Sequence, residues 1–326
     1  MPSTDMGSPT ISIALATCDG ARYLPALLDS LLAQRLPPIE LVACDDASDD
    51  ATEAVLQSFA ARAPFPVRIE RNAARLGVVA NFSRAMALCG GECIALADQD
   101  DVWHPDKLAR LSAALSGPTV LAAFSDASVV DENLRGLGYG MWQRGHFTKD
   151  EQERMRRGRA FEVLLKHQVV TGATLAMKVG LRDTALPVPP GWPHDAWLAI
   201  HAAARDGLLP IDAPLIDYRQ HAGNAVGGKK KSLLGEARAA LALDRAAWYR
   251  QERARWQALA ERLATSGVVE SSRPALDEKL FHLAARASLP AARWRRLPGI
   301  WRELSAGRYA RHARNWGSIA IDLLVR

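Results

Sequence analysis

The sequence lacks any uninterrupted apolar run of the roughly 18 residues that a membrane-spanning helix needs. It also lacks a charged leader followed by an apolar stretch, which is the pattern of a secretion signal. Cysteine is scarce, and the pair Cys89-x-x-x-Cys93 has no second Cys or His pair at the spacing of a zinc site. We therefore expect a cytosolic protein whose four cysteines, Cys18, Cys44, Cys89 and Cys93, are reduced structural thiols.

Positive charge is scarce in the first two thirds of the chain and abundant in the rest. Residues 1–226 carry 21 Lys and Arg against 27 Asp and Glu, a net charge of −6, whereas residues 227–326 carry 20 against 9, a net charge of +11. The character of the sequence changes after Gly227-Gly228, so we place a domain over 10–228 and a basic α-helical extension over 229–326. A basic segment that contains tryptophan suggests a polyanionic partner, either an anionic membrane surface or nucleic acid.

Short apolar runs alternate with helical patterns through the first domain. This alternation predicts an α/β fold with a mostly parallel sheet flanked by helices. Segment 131–140 is loop-like, segment 150–168 is basic and favours helix, and segment 169–177 is apolar and β-rich. The predicted strands are 10–16, 39–44, 67–70, 93–97, 120–130 and 211–218, and the predicted helices are 24–32, 52–62, 79–89 and 196–205.

Polar clusters follow three of the predicted strands, and they point to a site. They are Thr17-Cys18-Asp19, Asp45-Asp46-Ala47-Ser48 and Asp98-Gln99-Asp100-Asp101. Ligands of such sheets bind beyond the carboxyl ends of the strands, where these clusters converge. Asp98-x-Asp100 suits Mg²⁺ or Mn²⁺, because such an ion takes one or two protein carboxylates and fills its other positions with water and phosphate oxygens. The alternative is that this cluster caps the helix after Pro105.

Seven segments, in the right order, resemble glycosyltransferase family 2, whose members have the GT-A fold, and three of them resemble bacterial rhamnosyltransferase-like members in particular. The segment after the fourth strand, Asp98-Gln99-Asp100-Asp101-Val102-Trp103-His104-Pro105-Asp106-Lys107-Leu108, is similar to the metal motif of the family. The other six are Thr17–Gly20, Asp45–Thr52, Leu76–Phe82, Gly172–Thr174, His194–Trp197 and Tyr218–His221. Cys18, Asp19, Ala47, Arg75 and Ala196 depart from the residues that the family usually has.

The resemblance implies a role for each polar cluster. Donor binding falls to Thr17, Asp19, Asp45, Asp46 and Arg75 around the base and to Asp98 at the ribose. Asp100 would hold a Mg²⁺ or Mn²⁺ ion that bridges the two phosphates of the donor. His221 could ligate the metal from the far side or, with Arg219, close over the diphosphate.

Asp195 is the implied general base, which would remove the proton of the acceptor hydroxyl as its oxygen attacks the anomeric carbon. One displacement of this kind inverts the anomeric configuration. The alternative is that Asp195 only caps the helix that it opens.

The resemblance thus implies an inverting transfer of a sugar from a nucleoside-diphosphate sugar to a glycan or lipid-linked glycan in bacterial surface polysaccharide synthesis. Rhamnose from dTDP-rhamnose is the leading donor. One alternative is a sugar nucleotidyltransferase, although the Gly-rich loop expected near its first strand is missing. A basic nucleic-acid-binding protein is the other, although the sequence contains no recognised nucleic-acid module, so we expect no nucleic acid as partner.

The basic extension has a helical apolar pattern. Leu234, Leu241, Trp248, Trp256, Leu259 and Leu263 predict an amphipathic helix over 232–264, and Trp294, Trp301 and Trp316 continue the pattern among arginines. Two interpretations remain open. The helices could pack on the catalytic domain with a solvated basic face, or they could attach the protein peripherally to an anionic leaflet on the inner face of the cell membrane.

Overall fold

A computed structural model describes residues 8–221, 223, 244–265, 272–314 and 316–325. The chain divides into two compact units, of which the first is Met1–Gly158 with Val169–His221 and the second is Arg159–Gln168 with Ala222–Arg326. Segment Arg159–Gln168 therefore belongs to the second unit, whereas the sequence analysis assigned it to the first domain. The predicted boundary after residue 228 lies outside the described residues and stays a prediction.

The first unit is built on a nine-stranded sheet. The strands are β1 (Ile11–Thr17), β2 (Glu40–Asp45), β3 (Val67–Arg71), β4 (Cys93–Asp98), β5 (Val102–Trp103), β6 (Ala122–Val130), β7 (Gly136–Gly140), β8 (Leu175–Lys178) and β9 (Leu208–Arg219). Their spatial order is β3-β2-β1-β4-β8-β6-β9-β5, and β7 pairs with β6.

The sheet is parallel in one half and mixed in the other. Strands β3, β2, β1 and β4 are all parallel, as predicted. Beyond β4 the only parallel pair among the described strands is β6 with β9, and the four remaining pairings are antiparallel. The expectation of a mostly parallel sheet therefore holds for the half made of β3, β2, β1 and β4, whereas the sheet as a whole is mixed.

The sheet is covered by helices that carry an apolar stripe, such as α1 (Leu24–Leu32). In α1, Leu24, Leu27, Leu28 and Leu31 recur at helical spacing and are buried. The two faces of the central strands are buried as well, so β1 and β4 are apolar at almost every position. The helices of this unit are α1 (Leu24–Leu32), α2 (Thr52–Ala60), α3 (Val78–Leu88), α4 (Lys107–Leu115), α5 (Met141–Arg144), α6 (Lys149–Arg154) and, after α7 (Ala160–Lys166) of the second unit, α8 (Val179–Ala185) and α9 (His194–Ala203).

Two local predictions in the first unit were wrong. Segment 131–140 was expected to be a loop, but Gly136–Gly140 pairs with β6 as strand β7. The sequence does not indicate this strand, because three of its residues are glycine, which has a low strand propensity. Segment 169–177 was expected to be β-rich around Thr171-Gly172, but Gly172–Thr174 forms a 3₁₀ turn and the strand, β8, begins only at Leu175.

The second unit is helical among its described residues. Its helices are α7, α10 (Arg245–Thr265), α11 (Arg273–Ala287), α12 (Leu297–Ser305), α13 (Arg308–His312) and α14 (Trp316–Leu324). Helix α10 confirms the second part of the helix predicted over 232–264, and positions 232–243 lie outside the described residues. Tyr249, Trp256, Leu259 and Leu263 form its buried side. Trp248, which was predicted on that side, is exposed because the buried stripe is offset by one residue.

Buried charge holds the end of this unit together. The Asp322 carboxylate is fully buried and accepts hydrogen bonds from Arg286 Nε and from Tyr309 Oη, both at 2.6 Å. Arg296 donates to the carbonyls of Asp322 and Val325 at 2.8 and 2.6 Å. These bonds fasten the 3₁₀ turn at Arg293–Arg296 to the end of α14. None of the described helices in either unit combines the length and the apolar character that crossing a bilayer requires.

Candidate active site

The register of the parallel strands brings the predicted polar clusters to one edge. Thr17 lies beside Asp45 across β1 and β2, and Ala16 lies beside Asp98 across β1 and β4. Thr17 and Asp45 are buried, and the Thr17 hydroxyl donates to Asp45 Oδ1 at 3.1 Å. Asp45 also accepts from the backbone N–H and the hydroxyl of Ser48. This pair therefore stabilises the start of the acidic loop from below.

Asp46 shapes the loop that precedes α3. Its Oδ1 accepts from Asn72 Nδ2 and from the Leu76 N–H, both at 2.7 Å, and its Oδ2 accepts from the Gly77 N–H at 2.8 Å. Burial favours a higher pKa for Asp46, but these hydrogen bonds outweigh it and lower the pKa below its usual value. The carboxylate is thus ionised and fixes residues 72–77 at the edge of the sheet.

Arg75 connects two of the predicted donor-binding segments. Its Nη2 lies 2.6 Å from Asp19 Oδ2 and 3.1 Å from Asp49 Oδ2. Asp19 has a φ of 48° and accepts the backbone N–H of Asp49 at 2.8 Å. All three side chains are exposed to solvent, so the group is accessible to a ligand.

Gln99 is a residue of this edge to which the sequence analysis gave no role. Its Oε1 accepts the Cys18 N–H and its Nε2 donates to the Cys18 carbonyl, both at 2.8 Å. The side chain lies so close to Gly20 that a Cβ there would be 2.1 Å from Gln99 Oε1. Gln99 thereby joins the ends of β1 and β4. The sequence feature that could have indicated its role is its position between two predicted site residues, Asp98 and Asp100.

Asp100 and His221, the two predicted metal ligands, lie together. His221 Nε2 is 2.8 Å from Asp100 Oδ2, and the His221 ring packs on Tyr23 at 4.4 Å between centroids. Arg219 is buried beside them and lies over the same Tyr23 ring at 4.8 Å. Its Nε donates to the Asp100 carbonyl at 2.7 Å and its Nη1 to the Glu132 carbonyl at 2.8 Å. Arg219 therefore holds the backbone of the loop that contains Asp100.

The carboxylates of this loop are crowded. Burial, followed by the charges of Asp100 and Asp195, raises the pKa of Asp98 to about 7. Burial also raises the pKa of Asp101 well above its usual value, and the neighbouring charges of Asp100 and Asp98 add to this effect. Asp101 Oδ1 accepts the Arg219 N–H at 3.0 Å, whereas its buried Oδ2 has no hydrogen-bond partner in the described part of the chain.

Asp195 lies in the first turn of α9, whose N-cap residue is Pro193. Its Oδ2 accepts the Gly172 N–H at 3.1 Å, and its Oδ1 accepts the N–H of Ala196 at 2.7 Å. It is thus not the N-cap residue, although one oxygen does accept a helix N-terminal amide. His194 stacks on Phe82 at 4.2 Å beside it. The Gly172–Thr174 turn that donates to Asp195 also packs against β4, the strand that ends at Asp98.

Lys107, the first residue of α4, is a second residue that the sequence analysis left without a role. It is fully buried, and its Nζ donates to the Ala173 carbonyl at 2.6 Å. Burial lowers the pKa of Lys107 well below its usual value, against the opposing charges of Asp101 and Asp98.

The residues present fit a sparse divalent metal site rather than a cage. No group of three or more His, Cys, Asp or Glu side chains among the described residues is arranged to hold a metal ion. Asp100 and His221 nevertheless offer two ligands, and Asp101 Oδ2 is a buried carboxylate oxygen without a hydrogen-bond donor. Mg²⁺ and Mn²⁺ accept such oxygen-rich sites, in which substrate phosphates complete the coordination.

Comparison with known proteins adds a family and relatives. The model of the family described as Glycosyl transferase family 2 matches residues 12–181, more than half of the chain. The dTDP-rhamnosyl transferase RfbG of Shigella flexneri is 26% identical over 253 residues, which cover 73% of this chain and 81% of that protein. The chain spans less than half the length of other curated relatives that it matches, 43% of one and 36% of another.

Solved structures with the same fold include two complexes. TarS 1–349 of S. aureus, in complex with UDP-GlcNAc, superimposes with a TM-score of 0.59 at 15% identity, over 91% of this chain and 81% of that chain. The mannosyltransferase PcManGT of Pyrobaculum calidifontis, in complex with GDP-Man and Mn²⁺, gives a TM-score of 0.51 at 19% identity, over 93% and 77%. At these identities the likeness concerns the fold, and it confirms the expectation of a GT-A architecture with a helical C-terminal region.

Proposed function

The chain belongs to glycosyl transferase family 2, and we propose on that basis that it transfers a sugar from a nucleoside-diphosphate sugar to a hydroxyl of a glycan acceptor. The observation that supports the proposal is that Asp98 ends β4 at the carboxyl edge of the parallel strands, that Asp100 and His221 lie 2.8 Å apart just after it, and that Asp195 accepts from a turn that packs on β4. This is the edge at which sheets of this kind bind ligands.

In this proposal Asp195 is the general base. Its carboxylate takes the proton of the acceptor hydroxyl, the hydroxyl oxygen forms a bond to the anomeric carbon, and the nucleoside diphosphate leaves with the electrons of the broken C–O bond. The Gly172 N–H holds one carboxylate oxygen and the Ala196 N–H holds the other, so the side chain is oriented before the acceptor binds. A single displacement inverts the configuration of the anomeric carbon.

The donor site comprises two layers. Thr17, Asp45 and Asp46 are buried and hold the loops, while Asp19 and Arg75 are exposed at the surface where a base would lie. A Mg²⁺ or Mn²⁺ ion held by Asp100, with His221 beside it, would neutralise charge on the departing diphosphate. Arg219 keeps the Asp100 loop in place through its bond to the Asp100 carbonyl.

We take dTDP-rhamnose as the leading donor. Its support is the 26% identity to the Shigella flexneri dTDP-rhamnosyl transferase over 73% of the chain. The acceptor would be a glycan or lipid-linked glycan of a bacterial surface polysaccharide.

Calorimetry with dTDP, UDP and GDP, with and without Mn²⁺, tests the donor site. We expect one nucleotide to bind in a metal-dependent manner, and we expect Asp100→Ala to abolish that binding. Asp29→Ala is the matched control, since it removes an exposed carboxylate that pairs only with Arg62 on the surface among the described contacts. Failure of all three nucleotides to bind would refute the proposal. Release of pyrophosphate instead of nucleoside diphosphate during turnover would favour a nucleotidyltransferase.

The second unit supports peripheral attachment to an anionic bilayer. Trp294, Trp301 and Trp316 are 70%, 69% and 72% exposed, whereas tryptophan side chains are highly buried on average. Leu297 and Trp301 are four residues apart in α12 and so share one side of that helix, while Trp294 lies in the 3₁₀ turn just before it. Arg293, Arg295 and Arg302 flank these residues in the sequence. Tryptophan prefers the headgroup level of a membrane and arginine attracts lipid phosphates, so the surface matches an anionic leaflet.

Vesicle co-sedimentation tests the attachment. Vesicles of phosphatidylcholine with about one third phosphatidylglycerol should bind the wild type, and the combined Trp294→Ala and Trp301→Ala variant should lose binding. Trp248→Ala is the matched control, because it removes a tryptophan of the same unit that is only 38% exposed and lies on α10, away in sequence from this surface. Binding that is equal in the wild type and the double variant would exclude this surface. Binding of RNA at physiological salt in its place would favour a nucleic-acid partner.

A further inference from the structure

The side chain of Lys107 is buried, which is rare for a lysine. It is fully buried at the start of α4, where its Nζ lies 3.4 Å from the centroid of the Trp103 ring. Its Nζ donates a hydrogen bond to the Ala173 carbonyl at 2.6 Å, 66 positions further along the chain. Burying an amine costs free energy unless the amine is hydrogen-bonded. The contact between α4 and the 3₁₀ turn at Gly172–Thr174 therefore offsets part of that cost.

The same turn holds Asp195. The Gly172 N–H donates to Asp195 Oδ2 at 3.1 Å, one residue before the carbonyl that Lys107 holds. The turn is also packed tightly on α9, because a Cβ at Gly172 would be 2.9 Å from His194 Nε2 and 3.5 Å from Asp195 Cβ. A small displacement of this turn would therefore move the carboxylate of Asp195.

We propose that Lys107 is a positioning residue that sets the place of Asp195 through the Gly172–Thr174 turn. The inference rests on the proposed function, in which Asp195 is the base. Lys107 follows the segment that carries Asp98 and Asp100, so it ties the acceptor-side base to the donor-side carboxylates. The distance between base and donor is then fixed by two hydrogen bonds and one turn.

The expected effect is a loss of turnover with donor binding retained. A misplacement of a reacting group by about 1 Å can lower a rate about 100-fold, so we expect Lys107→Met to lower kcat by roughly 10- to 100-fold. The dissociation constant of the nucleotide with Mn²⁺ should stay within about 3-fold, because uniform binding is not affected. Lys178→Met is the matched control: Lys178 also donates to a backbone carbonyl, that of Gly117 at 2.8 Å, and it should keep wild-type kcat.

A double-mutant cycle separates positioning from a merely structural role. Turnover is measured with radiolabelled donor in Asp195→Asn and in Asp195→Asn combined with Lys107→Met. If Lys107 acts through Asp195, the double variant is no slower than Asp195→Asn alone. Additive losses, loss of nucleotide binding in Lys107→Met, or a kcat equal to that of Lys178→Met would each overturn the inference.

A second variant keeps the test decisive if Lys107→Met does not fold. Gly172→Ala pushes the turn from its other side, and it should lower kcat with donor binding retained; wild-type kcat in this variant would overturn the inference. A wild type that binds no nucleotide and transfers no sugar would instead refute the proposed function. The two failures are thus distinguishable.

Discussion

The contact between Gly20 and Gln99 allows a prediction whose magnitude follows from two hydrogen bonds. Replacing Gly20 with alanine places a Cβ 2.1 Å from Gln99 Oε1 and 2.5 Å from its Cδ. The glutamine side chain can rotate away from the new methyl group, so the collision itself is avoided. Rotation, however, breaks both bonds between the Gln99 amide and the backbone of Cys18.

Each of these bonds contributes about 0.5–1.5 kcal/mol, so Gly20→Ala should lower the free energy of unfolding by about 1–3 kcal/mol. Gln99→Ala removes the same two bonds and should cost the same. Gly20 has no positive φ, so alanine fits its backbone. In the Gln99→Ala background, Gly20→Ala should therefore cost nothing, or stabilise by about 0.4–1 kcal/mol through the unfolded chain.

The assay is urea unfolding of the two single variants and the double variant, with hydrogen exchange at the Cys18 amide as a local probe. Protection of that amide should fall in both single variants. The coupling energy should equal the cost of one single variant, about 1–3 kcal/mol. If Gly20→Ala costs as much without Gln99 as with it, the clash lies elsewhere and the argument fails.

Three further predictions concern the loop, the pH response and a surface glycine. Asp46→Asn should lower the free energy of unfolding by about 1–3 kcal/mol and speed hydrogen exchange over residues 72–77, because an amide cannot accept all three donors; unchanged exchange would contradict this. Hydrogen bonds from Arg311 lower the pKa of Glu278 to about 2, so its stabilisation is present above its ordinary pKa of 4.5 and is lost as pH falls towards 2. Glu278→Gln should therefore be less stable than the wild type in urea at pH 6, with a gap that narrows by pH 3; a constant gap would refute the linkage. Gly180→Ala, in α8 with open space around the new Cβ, should raise the free energy of unfolding by about 0.5–1 kcal/mol, and a loss of stability would show a hidden contact.

The parallel half of the sheet, β1 to β4, could be predicted because the sequence patterns that specify it are local. Apolar runs separated by helical patterns mark β1 to β4, and parallel pairing places their carboxyl ends at one edge. That rule sufficed to bring together Thr17, Asp45 and Asp98. The antiparallel half depends on pairings between distant segments, such as β8 with β4 and β6, which no local pattern specifies.

The candidate ligands could likewise be predicted, but their supports could not. Asp100 and His221 were paired by resemblance, and the structure places them 2.8 Å apart. Gln99 and Lys107 had no predicted role, and Arg219 was predicted to contact the diphosphate. In the structure all three bind backbone atoms of other segments. A backbone N–H or carbonyl has no signature in the sequence, so a side chain that binds one is visible only in three dimensions.

The excursion of the chain into the second unit has a consequence for its synthesis on the ribosome. Helix α7 has the buried apolar residues Phe161, Leu164 and Leu165. It emerges early, yet it packs with α11 and α13, which are made much later. Until then these side chains lack their final partners, while the surrounding segments of the first unit can already fold. The order of translation therefore leaves the apolar side chains of α7 exposed in the nascent chain. Ending synthesis after His221 would make that exposure permanent, so such a shortened chain should aggregate or be degraded.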